Sequence, residues 1–161
     1  MRKIILIIFI CFLVGCTSND AVTPVKDYLN KFKNHDTEVT NAIEELLRQE
    51  NLSQEQNDLY KLIMKRQYTD LEYKIVNEYY NGRHAIIYVD ITVYDYINSR
   101  KEAIKNGLTK EEAINEQLKQ MEKEKKRIQY TLEFHVYYQE ERWILETPNT
   151  EIIEKIHGLY E

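Results

Sequence analysis

From Ile128 to Tyr138 the chain alternates without a break. Ile128, Tyr130, Leu132, Phe134, Val136 and Tyr138 fall on one side, and Gln129, Thr131, Glu133, His135 and Tyr137 on the other. A period of two puts successive side chains on opposite faces, so this stretch fits a strand with one apolar and one wet face. Such a strand needs partners, because an isolated hairpin is marginal in water. The chain supplies them. Ala85, Ile87, Val89, Ile91 and Val93 alternate with Tyr88, Asp90, Thr92 and Tyr94. Ahead of these, a period-two stretch from Tyr68 puts Leu71, Tyr73, Ile75 and Tyr79 on one face, which only Asn77 interrupts. Asn81-Gly82 joins the two as a hairpin turn, since both residue types tolerate positive φ. A turn near Glu140-Glu141 leads to a last short strand with Trp143 and Leu145 facing together, and Thr147-Pro148 ends it.

Elsewhere the period is helical. Thr23-Pro24 reads as a helix start, with Thr23 as cap, and Val25, Tyr28, Leu29 and Phe32 form its apolar face. Asp36 or Thr37 opens a second helix carrying Val39, Ile43, Leu46 and Leu47. Ser53 with Gln56 makes a capping box for a third, with Leu59, Tyr60, Ile63 and Met64 inward. Between the second and third strands lies a helical insertion of about residues 98–127, split by Gly107. Thr109 with Glu112 is a second capping box, ahead of Ile114, Leu118 and Met121. The final helix carries Ile152, Ile153 and Ile156 and stops at Gly158. Antiparallel strands with segregated helices make the expected class α+β.

The amino end carries a different signal. Met1-Arg2-Lys3 is a basic start, Ile4 to Val14 is unbroken and apolar, and Leu13-Val14-Gly15-Cys16 closes the run. Eleven apolar residues reach only ~17 Å as a helix, short of the ~20 residues that span a bilayer. Residues 1–15 therefore read as a signal peptide with its lipobox at 13–16. The small Gly15 admits a peptidase, and the Cys16 thiol is the lipid attachment site. Two acyl chains on one cysteine hold stably where one does not. Residues 16–22 then form a tether, and 23–161 a single domain on the extracytoplasmic face of a bacterial cell membrane. Extended, Thr17 to Val22 reaches only ~20 Å, so that domain works close to the bilayer.

Charge and cysteine content narrow the chemistry. Without Arg2 and Lys3 the chain has 20 basic and 27 acidic residues, a balance of −7 that argues against nucleic acid as a partner. Cys11 leaves with the signal and Cys16 is consumed by lipid, so no disulfide or thiol chemistry is expected.

The order of these parts resembles a known group. It comprises a lipobox, an amphipathic opening helix from Pro24 to Lys33, a tyrosine-rich hairpin from Leu71 to Tyr94, then Arg142-Trp143-Ile144-Leu145 and a last helix ending Ile156-His157-Gly158. Together they resemble small bacterial lipoproteins with a nuclear transport factor 2-like, cone-shaped domain. The resemblance covers roughly residues 23–160 and implies N-terminal helices packed on a curved antiparallel sheet, often around a pocket. The stretch 98–127 departs from that pattern. Members of this fold range from enzymes to interaction modules, so fold does not decide function.

Candidate sites are few. His35, His84, His135 and His157 show no metal-ligand spacing, so no metal and no cofactor is expected. His157 at a helix end suits a cation on the helix dipole. Asp70, Asp90 and Asp95 flank the hairpin with Tyr88 and Tyr94 nearby, but alternation turns Asp90 and both phenols to solvent. A solvated carboxylate keeps an ordinary pKa and makes a poor catalyst near neutrality. Lys123, Lys125, Lys126 and Arg127 form a basic run that suits a helix C-terminus, with Glu122 placed to pair with Lys126. The same run is a candidate contact for anionic headgroups. Thirteen tyrosines suit sheet positions, while Tyr80, Tyr88, Tyr94 and Tyr137 could form one interaction patch. The expected role is a non-catalytic lipoprotein offering its domain to a protein or peptide of the envelope. The alternative is a small apolar ligand held between sheet and helices against Ile87, Val89, Leu132 and Phe134. An enzyme using Asp90 or Asp70 is the third class.

Overall fold

Four antiparallel strands form one curved sheet in the computed structural model, which describes residues 20–50, 52–98, 101 and 109–160. Strands β1 (Glu72–Asn81), β2 (His84–Tyr94), β3 (Arg127–Gln139) and β4 (Arg142–Leu145) follow one another in chain order across it. The β2–β3 ladder runs without slip from His84 opposite Tyr137 to Tyr94 opposite Arg127. Alternation then sorts the faces as expected. Ala85, Ile87, Val89, Ile91 and Val93 are buried with Leu132, Phe134 and Val136, while Thr131, Glu133 and His135 on the other face are exposed.

One strand breaks its rhythm. The β1–β2 register slips between Ile75 and Asn77, so Val76 is an extra residue. Tyr73 faces Ile91 and Ile75 faces Val89 before the bulge, whereas Glu78 faces Ile87 and Tyr80 faces Ala85 beyond it. Tyr79 therefore does not share the face of Leu71, Tyr73 and Ile75; it pairs with Ile86 and is 60% exposed. Asn77 likewise moves off the apolar face to pair with Tyr88. A strict period of two cannot register an inserted residue, which exchanges the faces of all that follow.

Five helices are described: α1 (Thr23–Lys33), α2 (Thr37–Glu50), α3 (Gln54–Thr69), α4 (Lys110–Lys123) and α5 (Thr150–His157). Thr23 does not cap α1. Val22 takes the cap position, its N–H held by Asp20 Oδ1 at 3.2 Å, and Pro24 occupies the first turn where no N–H is needed. Both capping boxes form, at Ser53 with Gln56 and at Thr109 with Glu112. Asn149 caps α5 by accepting from the Ile152 N–H at 3.0 Å, and Gly158 ends that helix at φ 72°. Tyr68 belongs to the last turn of α3 and does not begin the strand. Gly107 and the lipobox lie outside the described residues. No described helix is long and apolar enough to cross a membrane.

The core falls into two parts. Val25, Leu29 and Phe32 of α1, Met64 and Tyr68 of α3, and Ile152 and Ile156 of α5 cover the apolar face of the sheet. Ile63, Tyr96, Leu118 and Met121 make a second cluster that docks α4. Two neighbouring residues of α3 join the parts. Arg66 Nη2 donates to the Met121 carbonyl at 2.8 Å and the Glu124 carbonyl at 3.1 Å, and Nη1 donates to the Glu122 carbonyl, so α4 ends on a guanidinium. Gln67, fully buried, accepts from the Tyr94 N–H at 2.8 Å and donates to the Tyr94 and Ile156 carbonyls at 3.3 Å each. The end of β2 and the end of α5 thereby share one amide.

Candidate functional site

The residues suggested by alternation do not converge. Tyr88 and Tyr137 share the wet face of the sheet, about 14 Å apart along the strands. Tyr94 lies a further ~20 Å from Tyr88 and is committed: its hydroxyl donates to Asp70 Oδ2 at 2.7 Å, between the guanidinium groups of Arg66 and Arg127 at 4.4 and 5.0 Å from its ring. Tyr80 is on the opposite face because of the bulge, and meets Trp143 edge to face at 5.9 Å. One four-tyrosine patch is therefore not assembled.

The basic run divides in the same way. α4 ends at Lys123 with Glu124 as its cap, so Glu122 and Lys126 are not one turn apart. Lys126 instead meets the buried Asp95 at 2.7 Å. Arg127 opens β3 and donates to the Asp70 and Thr92 carbonyls at 2.7 and 2.8 Å. Lys123 and Lys125 are exposed.

Nor do the carboxylates form a catalytic pair. Asp90 accepts from Thr131 Oγ1 at 2.6 Å and Gln129 Nε2 at 2.9 Å on the wet face. Asp95 is held by Lys126, and Asp70 by Tyr94. Ile87, Val89, Leu132 and Phe134, expected to line a sheet–helix cavity, are packed against α1, α3 and α5 with at most 1% exposure. Leu132 and Phe134 also border a groove between β3 and the last helix.

The open volume lies between helices. A pocket of about 450 Å³ is walled by Tyr28 and Phe32 of α1, Val39 and Ile43 of α2, Tyr60 and Tyr68 of α3, and Ile153 and His157 of α5. Lys31 and Glu38 join across its edge. A smaller recess of about 270 Å³ shares Val39, Ile43 and Tyr68 and extends past His35 and Lys61. These walls follow from ordinary helical stripes, and α2 bridges rather than fills the space beneath it.

Polar groups of Tyr68, His157 and Tyr28 stand in this apolar setting. The Tyr68 hydroxyl is buried and has no hydrogen-bond partner among the described residues. Burial raises its pKa far above the ordinary phenol range, so it is a neutral donor. His157, 5.8 Å from the Tyr68 ring and 6.5 Å from Phe32, is pushed down to about 4 by burial. It is neutral at pH 7, and the expected cation on the helix dipole is absent. Tyr28 is pushed up to about 12, also by burial. A neutral imidazole and protonated phenols recognise dipoles better than ions.

A larger groove of about 540 Å³ runs beside β3 and the start of α5. Its walls include Glu133, Glu146, Glu151 and Lys155, with Lys155 already bound to Glu151 and His135 to Glu133. Glu133 and Glu151 are thus already partnered. Among the described residues no group of three or more His, Cys, Asp or Glu side chains is placed to hold a metal.

Sequence reasoning passed over the interhelical pocket because each of its residues has a structural explanation as part of a helix's inner face. Periodicity says which way a side chain points, not how far away the opposing wall stands. Tyr68 was the available signal: a bulky phenol in the last turn of α3 needs a partner for its hydroxyl. No protein family, characterised protein or solved structure matches the chain.

Proposed function

We propose that the chain is a lipid-anchored extracytoplasmic binding protein whose interhelical pocket takes a small, mainly apolar ligand carrying one hydrogen-bond acceptor. The observation that carries the reading is the unpartnered Tyr68 hydroxyl in an apolar pocket of about 450 Å³. A buried hydroxyl without a partner costs on the order of 1–3 kcal/mol, and a ligand acceptor would recover it. A few placed polar groups on apolar walls are the usual form of a small-molecule site. The lipobox Leu13-Val14-Gly15-Cys16 supports the anchor. The helices gathered on one face of the sheet fit the nuclear transport factor 2-like resemblance, with α4 as the insertion. The role is binding without catalysis, because the buried His157 imidazole and the Tyr28 and Tyr68 phenols are neutral and Glu38, at the pocket's edge, is already paired with Lys31.

The anchor and the pocket are tested separately. Intact mass of the native product should show a diacylglyceryl adduct on Cys16, and Cys16→Ser should move the protein from the membrane to the soluble fraction. For the pocket, the neutral fluorophore N-phenyl-1-naphthylamine should bind the wild type and fail to bind Val39→Trp, which fills the space between α2 and α1. Equal binding to both would reject the pocket, whatever the anchor result.

A further inference from the structure

Asp20 is four positions past Cys16. It sits at the hairpin end of the sheet, where Tyr80 donates to Glu78 Oε2 at 2.7 Å and the Asp20 carboxylate lies close enough to join that bond. From there α1 runs away along the strands, because the Tyr73 hydroxyl near the start of β1 reaches Asn30 Oδ1 at 2.9 Å. Four residues span at most ~14 Å. Whatever holds Cys16 is therefore within that distance of this end of the fold.

This same end carries apolar side chains that the core does not use. Two of the four large hydrophobic residues exposed among the described ones are here at the end of β1, Tyr79 at 60% and Tyr80 at 49%, while Val76 at 43% lies mid-strand beside the Val89–Tyr88 step. Half-buried Trp143 backs Tyr80 at 5.9 Å and packs on Tyr138 at 5.4 Å. Rings with an apolar body and a polar tip settle at the boundary between hydrocarbon and water. Charge on this rim is mixed: Arg83 and Arg142 stand at the two turns with Asp20, Glu78, Glu140 and Glu141. The contact is therefore aromatic rather than electrostatic.

We propose that the rim formed by Tyr79, Tyr80, Tyr138 and Trp143 seats in the headgroup layer of the bilayer, so that the domain stands on its hairpin end. The inference rests on Cys16 as the lipid anchor. It also separates this rim from the basic residues Lys123 and Lys125. They lie beyond the Tyr94–Arg127 end of the sheet, ten residues along β2 from His84. That is ~34 Å away at the rise of a strand.

Trp143 is the chain's one tryptophan and reports the contact directly. The native lipidated protein is reconstituted in phosphatidylglycerol–phosphatidylethanolamine vesicles containing a headgroup-level spin-labelled lipid. Trp143 fluorescence should be quenched at least 3-fold more than that of the Trp143→Phe/Lys125→Trp variant, with no change between 0.05 and 0.5 M salt. Tyr79→Ser, which removes an exposed ring on the face away from Trp143, should cut the Trp143 quenching by half or more. A lipidated protein with equal quenching at both positions, or stronger quenching at position 125, overturns the orientation while leaving the anchor intact. A native product without lipid mass overturns the anchor, and the orientation with it.

Discussion

Gly158 lies so close to Tyr94 that a β-carbon on it would come within 2.0 Å of the Tyr94 carbonyl oxygen. The same β-carbon would meet Gln67 Nε2 at 2.6 Å. Gly158 also adopts φ 72°, a left-handed conformation that costs other residues about 1–2 kcal/mol. The backbone of β2, the end of α5 and the Gln67 amide converge there, and Tyr96 N–H donates to the Gly158 carbonyl at 2.9 Å.

Replacing Gly158 by Ala adds both costs at once, the conformation and the overpacking, the latter typically 1–3 kcal/mol. Gly158→Ala should therefore destabilise the domain by about 2–5 kcal/mol. Urea denaturation followed by far-ultraviolet circular dichroism checks this. A midpoint within 0.3 M of the wild type would show that the helix end relaxes away from β2.

Tyr68→Phe should have opposite effects on stability and on binding. Removing a buried, unpartnered hydroxyl should stabilise the free protein by about 1 kcal/mol. It should also weaken a ligand that accepts from that hydroxyl by 5- to 10-fold, while binding of a purely hydrocarbon probe stays the same. Thermal melting of the free protein and titration with the two probe types read the two effects apart.

The acid limb of stability should belong to His157. Its folded pKa of about 4 lies below the ordinary 6.5, so between these values the unfolded chain binds the extra proton. Stability is then level above pH 6.5 and falls as pH drops towards 4, by about 1.4 kcal/mol per unit and about 3 kcal/mol in all. His157→Phe removes that proton site. The melting temperature of the wild type should drop between pH 7 and pH 4.5 by clearly more than that of the variant.

Arg66 supports α4 through three carbonyls and through its place over the Tyr94 ring. Lysine keeps the charge but has neither the planar fork nor the stacking surface. Arg66→Lys should speed amide hydrogen exchange in Lys110–Lys123 by 10-fold or more, with β2 and β3 little changed. Equal acceleration throughout would mean that α4 and the sheet open as one unit.

Much of this architecture could be read from patterning. The β2–β3 pair, both capping boxes and the Gly158 stop each rest on a local rule whose physical cause acts within a few residues. What escaped depends on distance across the fold. The bulge at Val76 leaves no mark in composition, yet it decides which side Tyr79 and Tyr80 occupy. Lys126 was expected to pair along a helix that in fact stops three residues earlier, and Asp95 takes it instead. The pocket beneath α2 depends on a spacing between helices that no stripe of apolar residues encodes.

Val76 has a consequence of its own. Taking that single residue out would leave an unbroken ladder in which Asn77, Glu78, Tyr79 and Tyr80 keep the β2 partners they now have. Keeping it but pressing the bulge flat would do the opposite: Tyr79 would turn in towards the buried layer, Tyr80 would turn out, and the indole of Trp143 would lose its neighbour. The looping-out of one surplus link in an edge strand thus determines which ring this end of the molecule shows to its surroundings.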